Sequence, residues 1–313
     1  LRISIHSFKE IAKKMNSRFS VVVIAKNEPR IRYTLESLVK QSVKPWEVII
    51  VVDDPNDISA TIAKEHVHAL PIRVVVNGVP GFGGARASGV NAAGGDIIVF
   101  IDADCIADEM WIENYAKVFE ERQDVLVQVG GNFSIKDPSE VDMVRSGKIK
   151  APFSDFEFTQ NMAFRREVIG IIGNFDPWFR EGGEDLDFFI RLKKSKIAVY
   201  RNPKAVVYHL TAGIRLRKAW RDGKTRAKNF IKHKDVQLRD ASICFFHAFS
   251  LIVFLGLLAA GNMQLALLAI TPSFIHRIYR AFKGGSIKGW LIPYISYIAF
   301  ILYLSKAYTT RRL

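Results

Sequence analysis

The sequence contains little cysteine. Its 313 residues include two cysteines, Cys105 and Cys244, which lie far apart and form no CxxC pair. A disulfide framework and a zinc site made of thiolates are therefore both unexpected. The N-terminus also lacks the pattern of a cleavable signal peptide. Apolar and lysine residues are interspersed there and predict a short amphipathic segment over residues 1–18, with simple packing on the following domain as an equal alternative.

Acidic residues are too few to balance the basic ones. There are 45 Lys and Arg against 31 Asp and Glu, a formal net charge of +14. The excess is concentrated in residues 201–240, which hold twelve Lys or Arg and three Asp. An anionic membrane surface and a nucleic acid are the two partners that such a charge attracts. Because the basic stretch lies directly before the first long apolar run, the sequence favours the membrane and predicts no nucleic-acid partner.

Long apolar runs are missing from the first part of the chain and occur in residues 240–313. Their lengths predict a transmembrane region of two to three helices. Residues 211–239 are interpreted as a basic amphipathic helix in the membrane interface, with packing on the neighbouring domain as the alternative. The basic residues before the first run place that domain on the cytoplasmic side. The chain is thus predicted to be an integral membrane protein.

Residues 19–210 alternate between short apolar runs and helical patterns. The strand-like runs include SVVVIA, VIIVV and DIIVFI. Continuous apolar runs of this length are typical of strands buried on both faces. Their alternation with helices predicts an α/β, Rossmann-like domain with a mostly parallel sheet. Ligands of such sheets bind beyond the carboxyl ends of the strands, so the residues directly after each strand form the candidate site.

Two carboxylates, Asp102 and Asp104, follow the strand DIIVFI. In an extended chain residues i and i+2 point the same way, so both side chains face one spot. Two negative charges at such a short distance repel each other unless a cation lies between them. Mg²⁺ or Mn²⁺ binds through carboxylate oxygens and keeps positions open for phosphate. The pair therefore predicts a divalent-metal site, and two loop acids that cap the next helix are the alternative.

Two further segments carry candidate chemistry. The run GGEDLD opens a helix, and its acids Glu184 and Asp185 either cap that helix or supply a base for an incoming hydroxyl group. The run VPGFGGAR, residues 79–86, can bring backbone N–H groups close to a phosphate, and Arg86 adds charge. A glycine-rich loop is weak evidence by itself, but this one would border the same sheet edge as Asp104.

Five segments taken together resemble the family 2 glycosyltransferases of the GT-A fold. They read VVVIAKNE, VIIVVDD, GGARASGVNAAGGDIIVFIDAD, GGEDLDFFIRL and AVVYH, and they follow the family's order across about residues 19–210. The resemblance implies a GT-A catalytic domain, a nucleotide-diphospho-sugar donor such as a UDP- or GDP-sugar, and a Mg²⁺ or Mn²⁺ cofactor. It also implies an inverting single displacement.

The resemblance assigns donor-binding roles to four residues. Glu28 and Asp54, together with Asp53, would contact the nucleoside. Arg86 would lie beside the donor. Each of these follows a strand or the glycine-rich loop, as a ligand site at the sheet edge requires.

The resemblance also assigns the reacting groups. Asp102 and Asp104 would form the motif that binds metal and diphosphate. Asp185 would be the general base, with Glu184 as its neighbour. His209 aligns with a histidine that helps to bind metal or diphosphate in some relatives, and a histidine with no ligand role is the alternative.

The acceptor remains open at this point. The QxxRW motif of processive polysaccharide synthases is missing, and the nearest helix reads RLRKAWRDG. A hydroxyl acceptor needs a base, whereas a phosphate is already ionised, so the acids of GGEDLD favour a hydroxyl on a lipid-linked saccharide or glycan. A polyprenyl-phosphate glycosyltransferase is the runner-up. A sugar-phosphate nucleotidyltransferase and a membrane scaffold without catalysis explain the motifs less well.

Overall fold

The computed structural model describes residues 17–154, 159–211, 216–282 and 292–309. Nearly all of the predicted N-terminal amphipathic segment lies outside these residues. The chain divides into two compact units. The first comprises Leu1–Arg180 and Glu184–Ala212, and the second Glu181–Gly183 and Gly213–Leu313.

The first unit is built on one mixed β-sheet. Within the described residues its strand order is β3-β2-β1-β4-β8-β6-β9-β5, and β7 pairs with β6. The strands are β1 (Phe19–Ala25), β2 (Glu47–Val52), β3 (Ile72–Val76), β4 (Ile97–Ile101), β5 (Cys105–Ala107), β6 (Val127–Ile135), β7 (Phe153–Ser154), β8 (Asn161–Arg165) and β9 (Val199–Leu210).

Helices of the first unit connect these strands. They are α1 (Ile31–Val39), α2 (Ile58–Glu65), α3 (Phe82–Ala92), α4 (Trp111–Glu121), α5 (Glu140–Arg145), α6 (Glu167–Ile172) and α7 (Glu184–Lys194). Helix α2 has an N-cap, since the Asp57 side chain accepts a hydrogen bond from Ser59 N at 2.7 Å.

Side chains of the central strands alternate between two separate cores. On β1, Val21 and Val23 belong to one core cluster and Val22 to the other. On β4, Val99 and Phe100 divide in the same way. All five of these side chains are buried, because a strand with helices on both faces has no solvent side. The strands that lead to the candidate residues are thus packed on both faces.

The prediction of a mostly parallel sheet holds for only half of the strand pairs. Strands β1 to β4 pair in parallel, as the regular alternation of the first hundred residues indicates. Strand β8, however, pairs antiparallel with both β4 and β6, and β5 pairs antiparallel with β9. In the second half, parallel pairing continues between β6 and β9. The sheet is therefore a mixed sheet in an α/β domain.

The second unit is helical where it is described. Its helices are α8 (Leu216–Lys232), α9 (Lys234–Ala259), α10 (Met263–Phe282) and α11 (Ile292–Thr309). Their core contains Ala227 of α8, Ala248 of α9, and Tyr297 and Phe300 of α11. His247 stacks on Tyr297 with ring centroids 4.8 Å apart. Aromatic and small side chains thus join three of these helices.

The prediction of an integral membrane protein is wrong. Across the ranges that the structure describes, no helix combines the length and the apolar character that crossing a membrane requires. Apolar runs can also supply the contact surface between packed helices. Here Ala248, from the first run, and Phe300, from the third, pack in one cluster with Ala227. The prediction that the catalytic domain faces the cytoplasm rested on those spans and has no basis without them.

Candidate active site

One group of charged side chains, here called the outer cluster, is centred on Arg30. It consists of Glu28, Arg30, Asp104 and His209. Arg30 Nε and Nη2 donate to the two carboxylate oxygens of Glu28 at 2.7 and 2.6 Å. Nη2 also donates to Asp104 Oδ2 at 3.2 Å, and Nη1 donates to Leu210 O at 2.7 Å. A guanidinium fork therefore joins the end of β1 to the segment after β4.

His209 approaches Asp104 from another strand. Its Nε2 lies 3.4 Å from Asp104 Oδ2, and the pairing of β5 with β9 places His209 opposite Cys105. Withdrawal from water would raise the pKa of Asp104. The hydrogen bond and charge of His209 and the charge of Arg30 outweigh that effect and lower the pKa. Asp104 is thus kept as a carboxylate.

A second group, here called the inner cluster, consists of Arg86, Asp102 and Glu184. Arg86 lies in α3 and Glu184 opens α7, and the two side chains form a short ion pair through Nη1 and Oε1. Arg86 Nη2 lies 3.5 Å from Asp102 Oδ1. The Arg86 and Glu184 side chains are only 6% and 4% exposed. The pair therefore faces far less water than the outer cluster, whose side chains are 22–34% exposed.

The inner cluster is incompletely satisfied. Arg86 Nε and Glu184 Oε2 are buried without a hydrogen-bond partner. Burial raises the pKa of Glu184 to about 7, with Arg86 opposing the shift and Asp185 and Asp102 adding to it. Desolvation also raises the pKa of Asp102, again against the charge of Arg86. Raised pKa values of both carboxylates indicate that Arg86 does not supply enough positive charge to offset their burial.

Asp185 follows Glu184 in the first turn of α7 and is half-buried. Its Oδ1 accepts a hydrogen bond from Leu186 N at 2.7 Å. The negative charge of Asp185 acts on both Glu184 and Asp102, which places it in the same electrostatic neighbourhood. The two acids of the GGEDLD run thus differ, because Glu184 is buried against an arginine and Asp185 remains partly accessible.

Asp53 forms a third site at the end of β2. Lys26 Nζ and Asn77 Nδ2 donate to it at 3.1 and 3.0 Å. Desolvation would raise the pKa of Asp53, but bonds from Asn77, Lys26 and the Gly81 backbone lower it. Asp54 is exposed, and its Oδ1 accepts from Asn56 N at 2.8 Å within the same turn. Of the two neighbours, Asp53 is therefore the one built into the sheet edge.

The glycine-rich run does not present its helix N-terminus to a ligand. Phe82 N and Gly83 N donate to the carbonyl groups of Arg180 and Phe179, each at 3.0 Å. A Cβ atom on Gly83 would lie 2.1 Å from Asp176 O. The glycine at this position thus permits close packing of α3 against residues 176–180. The N–H groups of Phe82 and Gly83 are therefore not available to a phosphate, because protein carbonyls already occupy them.

The donor atoms near Asp104 suit a divalent cation. Oxygen, nitrogen and sulfur atoms of Asp104, His209 and Cys105 lie within 4.8 Å of one another. Burial and the neighbouring Asp102 and Asp104 charges raise the pKa of the Cys105 thiol well above its usual value, so it stays protonated and is a poor ligand. The carboxylate of Asp104 and the imidazole of His209 remain, and both are donors that Mn²⁺ or Mg²⁺ can accept. The unpaired Glu184 oxygen adds to the local demand for positive charge.

Sequence reasoning missed Arg30. Arg30 contacts Glu28 and Asp104, and His209 lies beside Asp104. Arg86 joins Asp102 to Glu184. A signal was present, because Arg30 directly precedes a helix whose positive N-terminal dipole disfavours a cation. An arginine at such a place requires nearby acids. Among the described contacts, Asp54 meets none of the other predicted site residues.

Comparison with protein families gives a match over the first unit. Residues 20–181 match glycosyl transferase family 2, and this range is slightly more than half of the chain. It contains both aspartates of the DAD run and ends just before α7.

Two curated relatives match a smaller part. The putative glycosyltransferase EpsH of Bacillus subtilis is 32% identical over 108 residues, which are 34% of this chain and 31% of that protein. The undecaprenyl-phosphate 4-deoxy-4-formamido-L-arabinose transferase of Serratia proteamaculans is 33% identical over 122 residues, 37% of each chain. The chain therefore spans about a third of the length of these relatives.

A solved structure shares the fold over most of the chain. It is the mannosyltransferase PcManGT from Pyrobaculum calidifontis in complex with GDP-Man and Mn²⁺. The two structures superpose with a TM-score of 0.60 at 16% identity, covering 93% of this chain and 88% of the other. At this identity the likeness establishes the GT-A type of fold.

Proposed function

Because the chain belongs to glycosyl transferase family 2, we propose that it transfers a sugar from a nucleotide-diphospho-sugar to a hydroxyl acceptor with inversion at the anomeric carbon. One observation carries the proposal. Asp102 and Asp104, at the end of β4, join two arginine-centred clusters that also contain Glu28 and Glu184. Residues 19–210 would form the catalytic domain. Ligands of open α/β sheets bind beyond the carboxyl ends of strands, where these residues lie.

The nucleoside would bind at the ends of β1 and β2. Asp53 is held there by Lys26 and Asn77, so its carboxylate is oriented before a ligand arrives. Glu28 lies after β1, and its carboxylate is fixed by Arg30. Carboxylates held in this way can accept hydrogen bonds from base or ribose groups. The exposed Asp54 would contribute less.

A divalent cation would be held by Asp104 and Asp102, and His209 would be a further ligand. When bound, such a cation neutralises the charge that grows on the diphosphate leaving group. The chain's own contribution is to keep Asp104 ionised through His209 and Arg30. Arg86, fixed by Glu184, contributes a positive charge next to Asp102.

Asp185 is the proposed general base. Inversion requires the acceptor oxygen to attack the anomeric carbon from the face opposite the leaving group, and a carboxylate must take its proton. Asp185 is half-buried, whereas Glu184 is locked against Arg86. Asp185→Asn should therefore reduce the turnover of a hydroxyl acceptor by about 10²–10⁴-fold. Unchanged turnover of such an acceptor would refute this role.

The proposed acceptor is a saccharide or glycan carried by a lipid. The Serratia relative is named as a transferase of undecaprenyl phosphate, which supports a lipid-linked acceptor class. A hydroxyl acceptor is favoured over a phosphate because the site contains a base. If the wild-type chain transferred sugar onto polyprenyl phosphate but onto no hydroxyl acceptor, and Asp185→Asn retained that transfer, the phosphate-acceptor alternative would replace it.

The experiment is a donor screen. Release of nucleoside diphosphate from UDP- and GDP-sugars would be measured with Mn²⁺, with Mg²⁺ and with a chelator. We expect metal-dependent release from one donor class, lost in Asp104→Ala. Asp124→Ala is the matched control, because Asp124 is an exposed acid that pairs with Arg122 on the surface. No release from any donor by the wild-type chain would contradict the proposal.

A further inference from the structure

Arg30 bridges an acid assigned to the nucleoside and an acid assigned to the metal. It donates to both oxygens of Glu28 and, through the same Nη2 atom, to Asp104 Oδ2. A guanidinium carries one full positive charge at any physiological pH. In the absence of metal and donor, Arg30 therefore supplies part of the positive charge that the outer cluster needs.

The two contacts of Arg30 are unequal. Toward Glu28 there are side-chain bonds of 2.6 and 2.7 Å, and Glu28 Oε1 also accepts from the Arg30 backbone N at 3.1 Å. Toward Asp104 there is a single bond of 3.2 Å. Bidentate pairs with carboxylates are stronger and better oriented than single bonds. The bond to Asp104 is thus the one that can exchange while Arg30 stays anchored on Glu28.

Arg30 also has room to respond, unlike Arg86. The side chain of Arg30 is 34% exposed and that of Arg86 6%. Arg30 is the N-cap residue of α1, where the helix dipole disfavours a cation. The placement is unfavourable locally and is offset by the two acids that Arg30 contacts.

We propose that Arg30 is an internal counter-cation that competes with the divalent metal for Asp104, so that metal and donor diphosphate bind together rather than separately. The inference rests on the proposed metal-dependent function. A cation that enters beside Asp104 meets the repulsion of Arg30, which weakens binding of metal alone. A diphosphate brings negative charge that Arg30 and the metal can share. Affinity for one ligand then rises with the other, and thermodynamic linkage makes the effect reciprocal.

The test measures Mn²⁺ binding directly, through the electron paramagnetic resonance signal of free Mn²⁺. Titrations of the full chain would be made alone and with saturating UDP or GDP. In the wild type we expect weak binding alone and at least tenfold tighter binding with the nucleotide that matches the donor. In Arg30→Gln, binding of Mn²⁺ alone should tighten about tenfold, and the enhancement by nucleotide should shrink by a similar factor.

Two further variants separate charge from shape. Arg30→Lys keeps the charge without the planar fork and should bind Mn²⁺ within about threefold of the wild type if charge governs the competition. Arg32→Gln removes an arginine two residues along α1 that pairs with Glu65 on the surface, and should change nothing. Thermal unfolding of each variant verifies that the chain is folded.

The outcomes are distinguishable. Mn²⁺ binding by Arg30→Gln that is equal to or weaker than that of the wild type overturns the competition, as does Arg30→Lys behaving like Arg30→Gln. If the wild type binds no Mn²⁺ even with nucleotide, the metal dependence of the proposed function fails, and the role of Arg30 fails with it.

Discussion

The outer and inner clusters both place an arginine beside buried or partly buried carboxylates, but the pKa shifts of their carboxylates are opposite. In the outer cluster, Arg30 and His209 reach a partly exposed Asp104, and the pKa of Asp104 is lowered. In the inner cluster, Arg86 and Glu184 are buried together, and the pKa of Glu184 is raised to about 7. Arg30, together with His209, outweighs the effect of burial on the pKa of Asp104. Arg86 does not outweigh the effect of burial on the pKa of Glu184.

The difference in burial between the two clusters predicts that one keeps its side-chain contacts fixed while the other can change them. Buried charges cannot rearrange cheaply, so the Arg86–Glu184 pair fixes α3 against α7. Partly exposed charges exchange partners at little cost because water can replace a lost contact. The inner cluster would therefore hold the geometry, and the outer cluster would respond to ligands.

The largest expected effect comes from breaking the inner pair. Arg86→Leu leaves Glu184 buried without its cation and should lower the free energy of unfolding by about 3 kcal/mol. Asp104→Asn in the outer cluster should change it by less than about 1 kcal/mol, since its partners are partly exposed. Chemical denaturation of both variants tests this contrast. Adding Glu184→Leu to Arg86→Leu should restore part of the loss, and equal effects of the two single variants would refute the contrast.

The next effect is a difference in the pH dependence of stability. The pKa of Glu184 in the folded chain, about 7, exceeds the ordinary value of 4.5 for a glutamate side chain. The folded state therefore binds more protons between these values, and the Glu184 contribution becomes less favourable as pH rises from about 4.5 to 7. The lowered pKa of Asp104 has the opposite sign, since its contribution is present above pH 4 and is lost as pH falls further.

Matched variants isolate each contribution. Against Glu184→Gln, the wild-type chain should lose about 1 kcal/mol of relative stability per pH unit across the upper part of this window. Asp104→Asn should retain that slope, and the slope of its pH dependence should differ from that of the wild type only below about pH 4. Unfolding free energies measured at a series of pH values report both. A wild-type slope identical to that of Glu184→Gln would contradict the raised pKa.

A smaller effect extends the comparison to the third site. Asp53 is held by two side chains, whereas Asp54 is exposed. Asp53→Ala should weaken nucleoside diphosphate binding by about tenfold, the value of one hydrogen bond to a charged group. Asp54→Ala should weaken it by less than about threefold. Calorimetric titration with UDP and GDP measures both, and a larger loss in Asp54→Ala would reverse the assignment.

The smallest effect concerns Lys26. Its side chain is 72% exposed and pairs with Asp53 at 3.1 Å. Lys26→Ala should leave the free energy of unfolding within about 0.5 kcal/mol of the wild type, because an exposed ion pair contributes little. A loss above 1 kcal/mol in chemical denaturation would show that Lys26 supports the fold as well as the orientation of Asp53.

Local pattern predicted the sheet edge well and its connections poorly. The sequence predicts the strands β1, β2 and β4 and the acids that follow them, because strand burial and strand ends are local properties. The length of β9, which runs to Leu210, and the antiparallel position of β8 depend on partners far along the chain. The apolar runs after residue 240 misled because residue type does not determine the surroundings of a side chain: Ala248 and Phe300 pack between helices, whereas Phe249 and Leu268 are exposed.

The candidate site divides along the same line. Asp102 and Asp104 were identifiable from spacing alone. The pairing of Arg86 with Glu184 joins residues 98 positions apart, and no local pattern specifies it. The role of Arg30 follows from Asp104 lying 74 positions away. Side chains whose meaning depends on such partners become clear only when the sheet brings them together.

The close fit of Gly83 against residues 176–180 bears on how this chain can change over generations. Two stretches almost a hundred positions apart are joined through the bonds of Phe82 and Gly83 to Arg180 and Phe179. A substitution in one stretch changes the surface against which the other stretch packs. Evolution, or a laboratory library that seeks new donors, would therefore have to vary both stretches together, since mutations confined to one would mostly be eliminated by misfit.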